Sequence, residues 1–139
     1  MLLYEFRPML QEKKLHCTLH VEEQIMMKCD ADKIQRVFDN LLRNAILYSF
    51  EDTDIDITAT QQDGTVCIQF DNHGDTIPQE KLERIFEQFY RLDVSRSTRS
   101  GGAGLGLAIA KQIVELHQGT IQAESRDETL TFRVILPVS

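Results

Sequence analysis

Apolar and polar residues alternate at every second position in five stretches of the chain, which is the spacing of a half-buried strand. These stretches are 15–21, 55–61, 65–71, 120–125 and 129–137. Asp63 and Gly64 lie between the second stretch and the third, and an Asp-Gly pair is typical of a tight hairpin turn. The last two stretches are separated by the tripeptide 126–128. The alternation therefore predicts five strands, four of them paired through short turns.

Apolar residues at helical spacing occupy the intervals between these strands. The pattern predicts a long helix over 31–48, a short one that starts with a proline over 78–89, and a third over 105–117 with Gly119 near its C′ position. Because the helices alternate with hairpins rather than with single strands, we expect an α+β fold. Its form would be a two-layer α/β sandwich, with a mixed and mostly antiparallel sheet covered on one face by three helices.

Composition and charge restrict the classes of partner. The chain has 139 residues and a formal net charge of -7, which fits one domain and argues against a nucleic-acid surface. The longest apolar run is far below the ~18 residues of a membrane span, so we expect a soluble domain without direct membrane contact. Three cysteines without a Cys-x-x-Cys pair predict buried, reduced thiols rather than a zinc site or a disulfide framework.

Asn40, Asn44 and Tyr48 follow one another at intervals of four residues on the first long helix. This spacing places them on one side of the helix, beside its apolar stripe. Two interpretations remain open from the residues alone. The amides are either ordinary polar groups satisfied by their neighbours, or they supply an oxygen ligand for a hard cation together with a hydrogen-bonding partner.

A glycine-rich stretch, SGGAGLGLAIAK, leads into the last helix. Gly102, Gly104 and Gly106 would let backbone N–H groups approach an anion at the positive end of that helix. Arg91 and Arg96 lie just upstream, and guanidinium groups suit phosphate oxygens. A flexible hinge beside a solvated loop is the alternative, but the two clusters together favour phosphate binding.

The segment FDNHGDTIP ends a strand in Asp71-Asn72 and then turns at Gly74. A carboxylate or amide oxygen at a strand end can accept a hydrogen bond from an exocyclic amine. An ordinary polar turn explains the same residues equally well.

Taken in order, N-x-x-x-N-A, the strand-end turn, IFEQFYR and GGAGLGLAIAK resemble the catalytic and ATP-binding domain of bacterial sensor histidine kinases. This domain belongs to the ATPase superfamily shared with gyrase B, Hsp90 and MutL, which has the Bergerat ATP-binding fold. The amino-acid sequences of the last two motifs are similar to those of the vancomycin-resistance, VanS-type sensor kinases. The resemblance covers nearly the whole chain, and it implies a single catalytic domain over 1–139 with a short arm at 1–14 and an ATP lid at 90–102.

The resemblance also implies a role for individual residues. Asn44 would bind the Mg²⁺ that bridges the ATP phosphates, and Asn40 and Asn44 together would be the catalytic residues. The implied ATP-binding set is Asn40, Asn44, Tyr48, Asn72, Gly74, Ile77, Arg91, Arg96, Gly102, Gly104, Leu105 and Gly106.

Three positions depart from the family pattern, and a fourth separates this chain from the hydrolysing members of the superfamily. Asn72 stands where the family carries the aspartate that accepts from adenine, Thr76 replaces a glycine, and Leu47 replaces a lysine. We therefore expect weak or lid-dependent affinity for ATP. Asn40 stands where the hydrolysing members carry a glutamate base, and a carboxamide cannot act as a base at neutral pH.

The function implied is transfer of the ATP γ-phosphate to a histidine on a separate dimerisation hairpin of the parent kinase, which then serves a cognate response regulator. We expect ATP and Mg²⁺ as cofactors and a place on the cytoplasmic side of a membrane-anchored bacterial sensor. No H-E-x-R-T-P segment is present, so we expect an excised domain. The alternatives are a stand-alone ATPase or serine kinase of the same fold, or a degenerate interaction module without nucleotide.

Overall fold

The computed structural model of the chain describes residues 6–21, 31–87 and 106–137. Its helices and strands, in chain order, are α1 (Arg7–Glu12), β1 (His16–Val21), α2 (Ala31–Leu47), β2 (Asp54–Gln62), β3 (Thr65–His73), α3 (Gln79–Leu82), α4 (Gly106–Leu116), β4 (Thr120–Arg126) and β5 (Thr129–Pro137). None of the helices in these three ranges is both long and apolar enough to cross a membrane.

The five strands form one mixed sheet in the order β1-β2-β3-β5-β4. β1 pairs with β2 in parallel, and every other neighbouring pair is antiparallel. Asp63 and Gly64 both have positive φ in the β2–β3 turn, as their sequence predicts for a two-residue hairpin loop. The predicted α+β fold with a mixed, mostly antiparallel sheet is confirmed.

The hydrophobic core lies between one face of the sheet and the helices α2 and α4. Phe70, at the centre of β3, is fully buried, and its ring meets that of Phe38 on α2 edge to face at a centroid distance of 4.9 Å. The opposite face of the sheet is polar. There Asp71 accepts hydrogen bonds from Thr131 Oγ1 at 2.6 Å and from Gln69 Nε2 at 2.9 Å. Strand alternation thus assigns neighbouring residues of β3 to core and solvent, as expected.

The helix predicted over 78–89 is shorter than its sequence indicates. Only Gln79–Leu82 is α-helical, and the chain then continues in turns as far as residue 87, where the description stops. Backbone bonds from Ile85 N to Leu82 O, at 3.3 Å, and from Glu87 N to Arg84 O, at 2.9 Å, span three residues rather than four. Because Leu82 and Ile85 are both buried, this tighter winding keeps the two apolar side chains on one side.

The C-terminus of α4 also differs in detail from its prediction. The left-handed residue is Gln118, with φ of 58°, and not Gly119. The Gly119 N–H closes the helix by donating to Val114 O at 2.9 Å. A Cβ on Gly119 would lie 2.4 Å from the Ile135 carbonyl oxygen, so glycine is required here by the close approach of β5.

The N-terminal arm packs onto the end of α2. Phe6 is buried in the core, and the Lys13 ammonium donates to three carbonyl oxygens, those of Ile46 and Leu47 at 2.9 Å and that of Ser49 at 3.0 Å. These carbonyls belong to the last turn of α2 and the residues after it. A cation at this position satisfies acceptors that the helix itself leaves unpaired and complements its negative end.

The two described cysteines, Cys17 on β1 and Cys67 on β3, are half-buried rather than fully buried as predicted. Burial, and secondly the nearby Asp56 carboxylate, raise the pKa of the Cys17 thiol to about 11. The thiol is therefore protonated at neutral pH, and a protonated thiol is a poor nucleophile. The other cysteine that is described, Cys67, is also in the free form.

Candidate functional site

Asn40 connects α2 to the first residue of α4. Its Nδ2 donates to the Gly106 carbonyl oxygen at 3.0 Å, across 66 positions of sequence. Asn44, one turn further along α2, donates from Nδ2 to the Asn40 carbonyl oxygen at 2.9 Å. Among the described residues, none donates a hydrogen bond to the Asn44 Oδ1. A hard carboxamide oxygen is thus available beside the start of α4, and this is the type of atom that Mg²⁺ prefers.

Gly106 lies directly over the two asparagines. A Cβ built on it would be 3.7 Å from the Asn44 Nδ2 and 3.9 Å from the Asn40 Cγ, which is ordinary contact distance. The last glycine of the glycine-rich stretch and the asparagine pair therefore form one site, although they lie far apart in sequence.

Tyr48 connects this pair to the strand-end turn. Its N–H donates to the Asn44 carbonyl oxygen at 3.0 Å, and its own carbonyl lies against Gly74. A Cβ on Gly74 would lie 1.9 Å from the Tyr48 oxygen, so every other residue would force the two segments apart. A further bond, from Phe50 N to His73 O at 2.8 Å, holds them together.

Asn72 is the most unusual polar residue of the described chain. It is fully buried on the core face of β3, and neither its Oδ1 nor its Nδ2 has a hydrogen-bond partner. Its neighbours across the sheet are Ile55 and Leu130, both of which are apolar and buried. Leaving a buried amide unpaired costs about 1–3 kcal/mol per group. Buried polar groups are nearly always satisfied, so Asn72 is an exception among the described residues.

The loop after Gly74 is attached to the β4–β5 turn. Glu128 N donates to Thr76 Oγ1 at 2.8 Å, and Glu128 O accepts from Gly74 N at 3.0 Å. Ile77 N donates to Ser125 Oγ at 2.8 Å. Thr76, which the family pattern presents only as the loss of a glycine, therefore has a structural function. Sequence reasoning missed it because the partner, Glu128, is 52 positions away.

The structure thus brings together six of the residues in the implied ATP-binding set, directly or through one neighbour, and attaches a seventh, Ile77, to β4. The six are Asn40, Asn44, Tyr48, Asn72, Gly74 and Gly106. The others lie outside the described residues: Arg91, Arg96, Gly102, Gly104 and Leu105.

Comparison with known proteins identifies the family. The profile described as histidine kinase-, DNA gyrase B- and HSP90-like ATPase matches residues 29–139. The chain belongs to this family. It is 47% identical over 136 residues to the sensor protein VanSC of Enterococcus gallinarum, which covers 98% of this chain and 37% of the relative. It is 50% identical over 133 residues to the sensor protein VanS of Enterococcus faecium, covering 96% and 34%. The chain therefore spans little more than a third of these relatives.

The solved structures that are similar to this chain include histidine kinase catalytic domains. The nucleotide-free catalytic domain of the histidine kinase ThkA matches with a TM-score of 0.85 and 27% identity, covering 99% of this chain and 88% of that one. ThkA in complex with the response regulator TrrA matches with a TM-score of 0.80 and 26% identity, covering 99% and 38%. The resemblance to sensor histidine kinases, and within them to the VanS type, is confirmed.

Proposed function

We propose that this domain binds Mg-ATP and donates its γ-phosphoryl group to a histidine on a separate dimerisation hairpin of the parent sensor kinase. The observation that carries the proposal is the Asn72 amide, buried and without a partner in a fold of the ATPase family. The folding free energy lost there is recovered if a base completes the hydrogen bonds. We further propose that 1–139 acts as one catalytic domain with an ATP lid at 90–102.

The residues present fit the two groups that the family uses. Asn72 would receive the base, and the uncommitted Asn44 Oδ1 would hold Mg²⁺ beside Gly106. When bound, Mg²⁺ neutralises phosphate charge and orients the phosphates for in-line transfer. Arg91, Arg96 and the glycines of the lid would supply the remaining phosphate contacts.

Asn40 favours transfer to an external acceptor over hydrolysis. It has no basic group, and its Nδ2 is committed to the Gly106 carbonyl oxygen at 3.0 Å, so it cannot activate water. A neutral imidazole is already nucleophilic and has little need of such a base. The domain's own contribution would be positioning and charge stabilisation. A stand-alone ATPase or serine kinase fits this arrangement less well.

The relatives suggest the partners. They are sensor proteins about three times as long as the matched segment, and the ThkA kinase was solved with its response regulator. We propose that the acceptor hairpin and the membrane anchor belong to the parent protein outside 1–139. The domain would work on the cytoplasmic side, and the parent would pass its phosphate to a cognate response regulator in a vancomycin-resistance system.

The first test is a calorimetric titration of ATP into the domain, with and without Mg²⁺. Asn44→Ala is expected to weaken Mg-ATP binding by about tenfold or more, since it removes an oxygen ligand of the metal. Without Mg²⁺ the variant and the wild type should bind alike. Arg36→Ala is the matched control, because Arg36 is exposed on the same helix and should leave both affinities unchanged.

Two outcomes would contradict the proposal. Absence of Mg-ATP binding by the wild type would indicate a degenerate interaction module. Binding that neither Mg²⁺ nor Asn44→Ala affects would show that the metal is held elsewhere. Transfer itself is checked by adding the histidine hairpin of the parent kinase, which should acquire acid-labile, base-stable phosphate from ATP.

A further inference from the structure

We propose that the base site binds purine nucleotides with either a 6-amino or a 6-oxo group, and so accepts inosine nucleotides as well as ATP. This inference rests on the proposed function, because it concerns the base that the nucleotide would present to Asn72. It is carried by one feature, a buried carboxamide whose oxygen and nitrogen are both uncommitted.

The chemistry of the carboxamide allows it to bind either a 6-amino or a 6-oxo group. A carboxylate offers only acceptors, so it suits the amine at position 6 of adenine and opposes the carbonyl oxygen at position 6 of hypoxanthine or guanine. A carboxamide has an acceptor and a donor on the same carbon. Rotation by half a turn about its last bond exchanges them, so that Oδ1 accepts from a 6-amino group or Nδ2 donates to a 6-oxo group.

The surroundings of Asn72 leave this rotation undetermined. Side-chain amides are usually fixed in one orientation by the hydrogen bonds they make. Asn72 makes none, and its lateral neighbours, Ile55 and Leu130, offer no polar side-chain atom to either end of the amide. Asp71 cannot restore the selectivity of a carboxylate, because it lies on the opposite face of the sheet and is bonded to Thr131 and Gln69.

The rest of the described turn gives no preference between the bases. The Gly74 N–H and the Thr76 hydroxyl are both bonded to Glu128, and the Ile77 N–H is bonded to Ser125. The two N–H groups are therefore committed, whereas the Thr76 hydroxyl only accepts here. Its O–H and its second lone pair can meet a 6-oxo or a 6-amino group equally, so it adds no preference for either base. Of these groups, the Asn72 amide is the one that is fully buried with both polar atoms unpaired, and it is able to satisfy both kinds of purine.

The experiment compares Mg-ATP with Mg-ITP by calorimetric titration, since hypoxanthine differs from adenine only at position 6 and in the proton on N1. For the wild-type domain, we expect the two dissociation constants to agree within about fivefold, because each base gains one good hydrogen bond. In Asn72→Asp, the preference for ATP over ITP should rise by about tenfold or more, because the carboxylate opposes the 6-oxo group.

The outcomes separate this inference from the function on which it rests. If the wild type binds ATP but binds ITP about fiftyfold or more weakly, the inference fails and the proposed function stands. If neither nucleotide binds, both fail. An unchanged ATP-to-ITP ratio in folded Asn72→Asp would also overturn it, because Asn72 would then not read position 6.

A spectroscopic measurement on the wild type avoids reliance on a variant with a buried carboxylate. The side-chain amide signals of Asn72 in ¹⁵N-labelled protein are assigned by their loss in Asn72→Leu. Saturating Mg-ITP should shift the Nδ2–H resonances downfield more strongly than Mg-ATP does, because only the 6-oxo group accepts from this amide at position 6. Equal shifts with both nucleotides would contradict the exchange of donor and acceptor.

Discussion

At the scale of single residues, the stability of the fold and the proposed nucleotide binding make opposite demands on Asn72. Its amide is buried between apolar neighbours without a hydrogen bond, which lowers the stability of the nucleotide-free domain. The same unpaired atoms are what a base would bind. A sequence selected only for stability would carry an apolar residue at this position.

Asn72→Leu should therefore raise stability and abolish the proposed nucleotide binding. Leucine has the same number and branching of side-chain heavy atoms, and removing the unpaired amide should increase the free energy of unfolding by about 1–3 kcal/mol. Urea denaturation measures the first effect and titration with Mg-ATP the second. Gln69→Leu is the control on the same strand. Its amide is bonded to Asp71 and Arg133, so this change should not stabilise. A less stable Asn72→Leu would contradict the interpretation.

At the scale of elements, the close approach of the α2 end to the strand-end turn fixes the geometry of the site. The Tyr48 carbonyl occupies the space that a side chain on Gly74 would need. Any residue larger than glycine must separate α2 from the loop that follows β3. The separation would act on two of the proposed ligand contacts, since Asn44 lies one turn before Tyr48 and Asn72 lies two residues before Gly74.

Gly74→Ala is expected to destabilise the domain clearly more than Gly64→Ala and to weaken Mg-ATP binding. Gly64 has φ of 79° in the β2–β3 turn with open space around it, so its substitution should cost only the roughly 1 kcal/mol of a strained φ. Gly74→Ala adds a collision with backbone. Urea denaturation of both variants and calorimetry with Mg-ATP would check this. Equal losses of stability in the two variants would show that the turn yields easily.

The sequence predicts the helices and strands better than it predicts where they end and which long-range hydrogen bonds join them. The five strands and the helices α2 and α4 follow from periodicity, because the spacing of apolar residues is a local property. The early end of the α-helix after Leu82 depends on how two side chains pack onto the rest of the fold. Local patterns placed Gly119 near the C′ position, but they could not show that Gln118 is the left-handed residue or that β5 lies against that glycine.

The same limit applies to the candidate site. The asparagine pair, the strand-end turn and the last glycine could be selected from their residue types and spacing. The hydrogen bonds of Lys13 and Thr76 could not be predicted from the sequence. Each joins segments more than 30 positions apart, and no recognisable motif marks them. The orphaned state of the Asn72 amide is likewise a property of the packed core and not of any local pattern.

At the scale of the whole molecule, the folded unit extends beyond the segment that the family profile matches. The match begins at residue 29, yet α1 and β1 precede it, Phe6 and Leu15 are buried in the common core, and β1 completes the sheet. The arm reaches the site through Lys13, which binds the carbonyls on both sides of Tyr48. The arm is therefore part of the support of the candidate site.

Lys13→Met should lower the free energy of unfolding by about 1.5–3 kcal/mol, because three carbonyls lose a charged donor. Lys13→Arg should restore part of the loss. Lys14→Met is the matched control, since it removes the same charge from an exposed neighbour and should change stability little. Hydrogen exchange at the Phe50 amide, which is bonded to His73, would report the loosening of the α2 end. Equal stability of the two Met variants would contradict the role of Lys13.

The turn between β4 and β5 has a consequence for how this fold is inherited. Glu128, at φ of 61°, holds the loop beside Asn72 through its backbone N–H and carbonyl alone. Selection can therefore preserve these two hydrogen bonds without preserving the amino acid at position 128, provided that the residue tolerates a left-handed backbone. Asparagine or glycine should serve there as well as glutamate. Relatives can keep these two backbone hydrogen bonds even where residue 128 differs in an alignment. The feature is therefore recognised from backbone angles and not from sequence identity.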